Sequence, residues 1–272
     1  MVSKMTDIKP LLKWAGGKRW LAPRIVKLYE SSHHNGVWCE PFVGAGAVAL
    51  ALRPDYAILN DINAHLINFH RQVQLGLRFQ VLAMNFINTA DSYLARRKQF
   101  NDLIGTQEQE TPKAAALFWY LNRTCFNGLC RFNRRGAFNV GYGKYAKIDY
   151  GRLSDDFSAH QELTARWRFT AGDFSQLTVE PGTFIYCDPP YDDGFTSYSA
   201  AGFGWPDHVR LAMWLDQHDG PAVISNLATE RMIALYQDSG FSIETLNAPR
   251  SIACNGDRKP VKELLATKGI AL

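Results

Sequence analysis

The run Asp188-Pro189-Pro190-Tyr191 directly follows the apolar stretch TFIYC at 183–187, so a carboxylate, two prolines and an aromatic ring stand at the mouth of an expected buried strand. An ordinary Asp-Pro turn accounts for the first two residues but not for the second proline or the ring. Chemistry accounts for all four. The lone pair of adenine's exocyclic amine is delocalised into the ring, and the nitrogen attacks a methyl donor poorly unless both N–H bonds are held out of conjugation. A carboxylate and a fixed peptide carbonyl, each accepting one hydrogen, do this and stabilise the positive charge that develops. Prolines fix the carbonyl's direction because their φ is locked and they carry no competing N–H. Tyr191 can stack on the face of a base. Cys187 adjoins the carboxylate, but amine methylation needs no covalent intermediate, and a strand cysteine is ordinarily a small buried apolar residue.

A second feature lies nearer the N-terminus. Glu40 and Pro41 lead into Phe42-Val43-Gly44-Ala45-Gly46 at the end of an expected strand, where glycines let the backbone turn tightly and approach a ligand. A strand-to-helix turn with two glycines is often purely structural. Asp61, 21 residues beyond Glu40 and at the end of the next expected strand, adds a carboxylate of the kind that accepts both ribose hydroxyls in nucleotide-binding α/β folds. The G-x-G-x-x-G spacing is absent because position 49 is Ala49, which disfavours a nicotinamide dinucleotide relative to another adenosine-containing ligand. Lys13-Trp14-Ala15-Gly16-Gly17-Lys18 is not a Walker loop, since Leu12 stands where that loop needs glycine and Arg19 where it needs serine or threonine.

The elements that position these residues fall into three blocks. VWCEPFVGAGAVALAL followed by YAILNDIN reads as strand, glycine turn, helix and a second strand closing on Asp61. The middle block carries helical patterns, AHLINFHRQVQLGLRFQVLAMNFI and PKAAALFWYLNR, and ends in a Gly/Asn/Arg-rich region. The last block returns to short β-like runs, RWRFTAGD, TFIYCDPPY and PAVISN, separated by the helical segments DHVRLAMWLDQH and TERMIALYQDSG. The expected fold class is therefore α/β, a Rossmann-like sheet domain formed by 1–63 and 151–272 and interrupted by a mainly helical insertion over 64–150.

Formal net charge is only +4, but residues 64–150 hold 12 lysines and arginines against 5 acidic residues, so the basic charge is concentrated in the insertion. Within 121–150 it is interleaved with aromatics, from Arg123 and Phe126 through Arg131, Arg134 and Arg135 to Tyr142 and Lys144. That pattern suits nucleic acid, and a solvated basic face is the plainer alternative. The odd set of five cysteines contains no C-x-x-C pair and the seven histidines no metal-binding i, i+4 pair, so neither a disulfide framework nor a metal is expected. No apolar run reaches the roughly 18 residues of a membrane span, and the N-terminus lacks a signal-peptide stretch, which predicts a cytoplasmic protein without a membrane partner.

In chain order, LLKWAGGK at 11–18, EPFVGAG at 40–46, NDIN at 60–63, LNR, FNGLCRFN and FNVGYG between 121 and 143, CDPPY at 187–191, FTSY at 195–198, ISN at 224–226, and RSIACNG and VKELL near the C-terminus are all present. Together they resemble the Dam-type DNA adenine-N6 methyltransferases over nearly the whole chain. The resemblance implies S-adenosyl-L-methionine as methyl donor, with no metal, and duplex DNA as substrate, with GATC as target and the adenine flipped into the 188–191 site. Trp14, Ala15, Gly16, Lys18, Glu40, Phe42, Gly44, Asp61 and Asp188 match cofactor positions, and Asp173 and Phe174 are placed beside the cofactor's adenine. Phe126, Asn127, Leu129 and Arg131 match a target-recognition β-hairpin, in which an aromatic and an Asn fill the gap left by the flipped base, Leu packs on a thymine methyl and Arg reads guanine. Lys13 matches a base-contacting lysine. Arg123, Asn133, Arg134, Arg135 and Lys144 are further expected DNA contacts, the last three to phosphate. Phe126 stands where the family often has Tyr, and Gly141 where a family member has a thymine-contacting Pro. For Arg131 a phosphate contact competes with base readout, and for Leu129 a core role competes with base contact.

Two rivals remain. A related fold could methylate another amine, in RNA or a protein glutamine; Asp rather than Asn opening the PPY motif, together with the basic insertion, favours DNA adenine. A DNA-binding regulator that lost catalysis would show a damaged glycine turn or Asp188 motif, and both are intact. No obligatory protein partner is expected.

Overall fold

The computed structural model describes residues 8–191, 202–249 and 261–270; the FTSY and RSIACNG motifs lie outside these residues. Helix α1 (Ala22–Ser31) leads into β1 (Val37–Glu40), α2 (Ala47–Leu52) and β2 (Tyr56–Asp61). The insertion follows with α3 (Ala64–Gln74), α4 (Arg78–Ala83), α5 (Ala90–Leu103) and α6 (Pro112–Thr124). After short helices α7 (Tyr150–Leu153) and α8 (Phe157–Leu163) come β3 (Trp167–Ala171), β4 (Phe184–Cys187), α9 (Trp205–Asp216), β5 (Ala222–Leu227), α10 (Glu230–Asp238), β6 (Ser242–Ala248) and β7 (Val261–Lys268). The strands form one sheet in the order β3-β2-β1-β4-β5-β7-β6. All neighbouring pairs from β3 to β5 are parallel, and β7 enters antiparallel between β5 and β6. This is the α/β, Rossmann-like sheet that the alternating pattern predicts.

Parallel strands covered on both faces read as continuous apolar runs, and β4 is buried at every residue. Its alternate side chains serve two cores: Phe184 and Tyr186 pack with Trp38, whereas Ile185 and Cys187 pack with Cys39 and Leu211. A third apolar cluster fills the helical segment around α6, whose residues Ala114 to Leu121 are all buried. Helix α3 serves two cores, with Ile67 in the cluster of the sheet and Leu66, Phe69 and Val73 in that of the helices.

The long helical pattern from 64 to 87 is two helices, because Gly76 adopts φ 98 at the break between α3 and α4. At the other end of α3, Asn63 caps the helix by accepting from the amides of His65 and Leu66. Thr111 caps α6, with Pro112 at the first helical position. Strand order reverses between β1 and β4, the crevice where open α/β sheets bind ligands at the carboxyl ends of their strands.

Candidate active site and nucleic-acid face

Asp188 emerges at the carboxyl end of β4 and is held by two donors on one oxygen. Its Oδ1 lies 2.8 Å from Lys18 Nζ and accepts from Ser225 Oγ at 3.0 Å. Ser225 pairs in turn with the hydroxyl of buried Tyr186 at 2.9 Å. Because Ser225 gives its proton to Asp188, Tyr186 is the donor in that pair. Among the described residues no bond engages Asp188 Oδ2. Burial drives the Asp188 carboxyl above the usual carboxylate range, and Lys18 and Ser225 pull it back only in part.

Lys18 itself is only 3% exposed. Its ammonium also donates to Tyr191 Oη at 2.7 Å and to Gly16 O at 3.2 Å, which with Asp188 occupies all three of its hydrogens. The Tyr191 hydroxyl donates onward to Glu263 Oε1, and the ammonium lies 4.7 Å from the Tyr191 ring centre. Pro189 is buried and Pro190 half-buried.

The turn after β1 approaches this edge. Gly44 takes φ 50, and a Cβ there would lie 2.8 Å from Cδ1 and Nε1 of Trp14, so only glycine lets that indole pack on the turn. Asp61 joins the turns after β1 and β2: its two oxygens accept from Gly44 N at 3.1 Å and Asn63 N at 3.0 Å. Burial raises its carboxyl to about 6 despite those two bonds. A carboxylate so incompletely compensated fits two further donors, and a vicinal diol supplies them. Glu40 turns inward, accepting from Trp38 Nε1 at 2.9 Å, and burial pushes it to about 8. Ala15 is half-buried and Gly16 exposed in the strap that leads from Trp14 to Lys18.

The segment expected to meet DNA is a hairpin with interrupted pairing, its bridges isolated at Cys125 with Tyr142 and at Phe132 with Phe138. Phe126, 55% exposed, tips the turn Phe126–Gly128, where Asn127 takes φ 52. Arg131, Arg134, Arg135 and Lys144 are exposed, and Arg131 Nε donates to Asn139 Oδ1 at 2.9 Å, which orients its guanidinium. Asn133 uses its carboxamide oxygen to close the hairpin end, accepting from Arg135 N and Ala137 N. Arg123 reaches back to Leu11 O, and Leu129 packs on the helical core. Lys13 Nζ lies 4.0 Å above the Tyr145 ring. The backbone of Lys13 is clamped by Asn122, which accepts from Lys13 N and donates to Lys13 O, both at 2.8 Å.

Residues 14–252 match the D12 class N6 adenine-specific DNA methyltransferase family. The chain belongs to that family. It is 34% identical to a type II methyltransferase of Lactococcus lactis subsp. cremoris, covering 96% of this chain and 95% of that protein. It is likewise 34% identical to the DNA adenine methylase of Serratia marcescens, covering 96% and 99%. A DNA N-6-adenine-methyltransferase of Escherichia phage P1 is 39% identical over 93% of this chain, which spans only 34% of that longer protein.

Three of the residues expected at the cofactor also have partners within the chain. Phe174 is 2% exposed and packs at 5.6 Å from Phe42. Asp173 pairs with Arg210 at 3.0 Å, chiefly for which reason its carboxyl falls to about 2. Lys18 holds the carboxylate of Asp188. Sequence reasoning assigned no role to Ser225 or Glu263, although both sit in the ISN and VKELL motifs. Glu263 reaches this edge only because β7 runs antiparallel, which sets it opposite Leu227 at the end of β5. Among the described residues no cluster of His, Cys, Asp and Glu is arranged to hold a metal, and no helix is long and apolar enough to cross a membrane.

Proposed function

We propose that this D12-family enzyme transfers a methyl group from S-adenosylmethionine to N6 of an adenine flipped out of duplex DNA, with GATC as its target. The observation that carries the reading is the division of labour at Asp188: Lys18 and Ser225 take Oδ1, and Oδ2, without a partner among the described residues, accepts a hydrogen of the target amine. S-adenosylmethionine, when bound, supplies an electrophilic methyl on a positively charged sulfur. Asp61 holds the ribose hydroxyls, and the turn at Phe42 and Gly44 with Trp14, Ala15 and Gly16 lies against the rest of the adenosine.

Asp188 Oδ2 and a carbonyl fixed by Pro189 and Pro190 each accept one N6 hydrogen, returning the lone pair to nitrogen. That interaction strengthens as positive charge develops and so acts on the transition state. Tyr191 stacks on the base with the ring face turned away from Lys18. Phe126 and Asn127 at the exposed turn fill the gap in the duplex, Arg131 reads guanine, and Arg134, Arg135 and Lys144 hold phosphates. Leu129, Arg123 and Asn133 support the segment from within, given their contacts in the fold.

The test is transfer of tritiated methyl to duplexes containing GATC, with scrambled and premethylated duplexes alongside and the product nucleoside identified. Label in N6-methyladenine of the unmodified GATC duplex supports the reading. Label in another base, or equal label in all duplexes, overturns it.

A further inference from the structure

Lys18, Asp188, Tyr191 and Glu263 form one buried ionisable cluster, with Glu263 5% exposed. Among the described residues it contains one cation and two carboxylates. Glu263 Oε1 accepts from Tyr191, whereas Oε2 is buried without a hydrogen-bond partner among the described residues and stands 3.9 Å from Lys18 Nζ. Keeping an unpartnered carboxylate oxygen from water is costly, so the arrangement calls for an explanation.

The arithmetic of charge supplies one. The pair of Lys18 with Asp188 is neutral by itself, and a neutralised carboxylate does little for an amine that becomes positive as its bond to carbon forms. A second carboxylate beside the same ammonium leaves the cluster with net charge −1. Tyr191 of the cluster and, among the described residues, the neighbouring Tyr186 and Cys187 are driven upward by burial and stay uncharged, as does Glu40 below about 8.

We propose that Glu263 is a positioning residue of the methyl-transfer site: through Tyr191 it draws the Lys18 ammonium between two carboxylates and so leaves Asp188 Oδ2 effectively anionic toward the target amine. This rests on the methyl-transfer reading above. On transfer the S–CH3 bond breaks with its electron pair left on sulfur, the N6–CH3 bond forms, and the positive charge passes to N6. The surplus N6 proton then leaves to Asp188 Oδ2 and from there to water.

Glu263→Gln tests this, because it keeps the size of the side chain and an acceptor for Tyr191 while removing the charge. Single-turnover methyl transfer to a GATC duplex is measured from pH 5 to 9, with cofactor and DNA affinities and the melting temperature measured in parallel. The expected result is a fall in the single-turnover rate of about tenfold or more on the pH plateau, with both affinities within about twofold of wild type. The acid limb should also move to lower pH, since a neighbouring anion no longer opposes ionisation of Asp188. A rate within twofold of wild type overturns the inference, as does an equal loss at every pH, the signature of a merely structural role. If wild-type protein labels no duplex adenine, the methyl-transfer reading falls and this inference with it. If wild type labels adenine and only the Gln variant behaves otherwise than expected, the inference alone falls.

Discussion

Replacing Lys18 with methionine isolates what the buried ammonium does. Methionine keeps the apolar stem and approximate length and removes the charge that lies 2.8 Å from Asp188 Oδ1. At an effective dielectric constant of about 20 that contact is worth roughly 6 kcal/mol of attraction before desolvation is subtracted. Removing one partner of a buried pair costs about 3–5 kcal/mol in practice. Asp188 and Glu263 are both raised by burial and both held down by Lys18. Without the cation they cannot both remain charged near neutrality, and the cluster takes up a proton. Proton uptake caps the folding penalty, but it leaves Asp188 ionised in only part of the population. On the proposed mechanism transfer needs the ionised form, so the acid limb of the rate profile moves to higher pH, opposite to the direction for Glu263→Gln. A loss of about 1.4–3 kcal/mol at the transition state corresponds to a rate lowered roughly ten- to a hundredfold near pH 7. Single-turnover transfer of labelled methyl across pH, with thermal melting to confirm folding, measures both effects. A folded Lys18→Met protein with the wild-type rate and an unmoved acid limb would refute the reasoning.

Asp61→Ala should weaken S-adenosylmethionine binding by roughly one to two decades, since a buried charge-assisted hydrogen bond contributes about 1.5–3 kcal/mol; unchanged affinity by calorimetry removes Asp61 from the site. On the proposed reading the diol needs ionised Asp61, whose carboxyl stands at about 6, so wild-type affinity should fall as pH drops below that value, by at most about tenfold per pH unit. Glu40, raised to about 8 when folded, binds more protons in the native state than in the unfolded chain. The stability it contributes is full below its ordinary carboxylate range and is lost as pH rises through about 8. Glu40→Gln retains an acceptor for Trp38, and its melting temperature should gain on wild type between pH 5 and 9; parallel melting curves would contradict this. Arg131→Ala should narrow the rate gap between GATC and sites altered at a guanine-containing pair, a difference of about 1–3 kcal/mol per base. Replacing Arg134, Arg135 or Lys144 should instead weaken every duplex alike and reduce the log–log salt slope by about one. The opposite pattern would transfer readout to the hairpin end.

What could be read from sequence was local. The glycine turn, Asp61 and the 188–191 motif each follow a short apolar strand within a few residues, so pattern and chemistry point to the same place. The partnership of Lys18 with Asp188 was not legible, because it joins residues that only the folded sheet brings together, and Lys18 was read as a cofactor residue from its motif. Glu263 was hidden for a topological reason: a carboxylate at the start of a strand lands at the catalytic edge only if that strand is antiparallel to its neighbours. Helix α5 escaped notice because only Tyr93, Phe100 and Leu103 of its residues are buried, too sparse an apolar stripe for a period to show. Strand β6 buries only Ala248 and reads as a polar stretch. The resemblance places Asp173 and Phe174 beside the cofactor's adenine, and in the fold Phe174 packs on Phe42 of the glycine turn while Asp173 pairs with Arg210.

The central claim is that Asp188 acts on the target amine during transfer and not on the binding of either ligand. Single-turnover methyl transfer by Asp188→Ala, measured at saturating S-adenosylmethionine and GATC duplex alongside both dissociation constants, addresses it most directly. The account predicts affinities close to wild type and a transfer rate lower by at least about two to three decades, the size of effect seen when one group that stabilises developing charge is removed. An Asp188→Ala protein that binds both ligands and transfers methyl at close to the wild-type rate would contradict it.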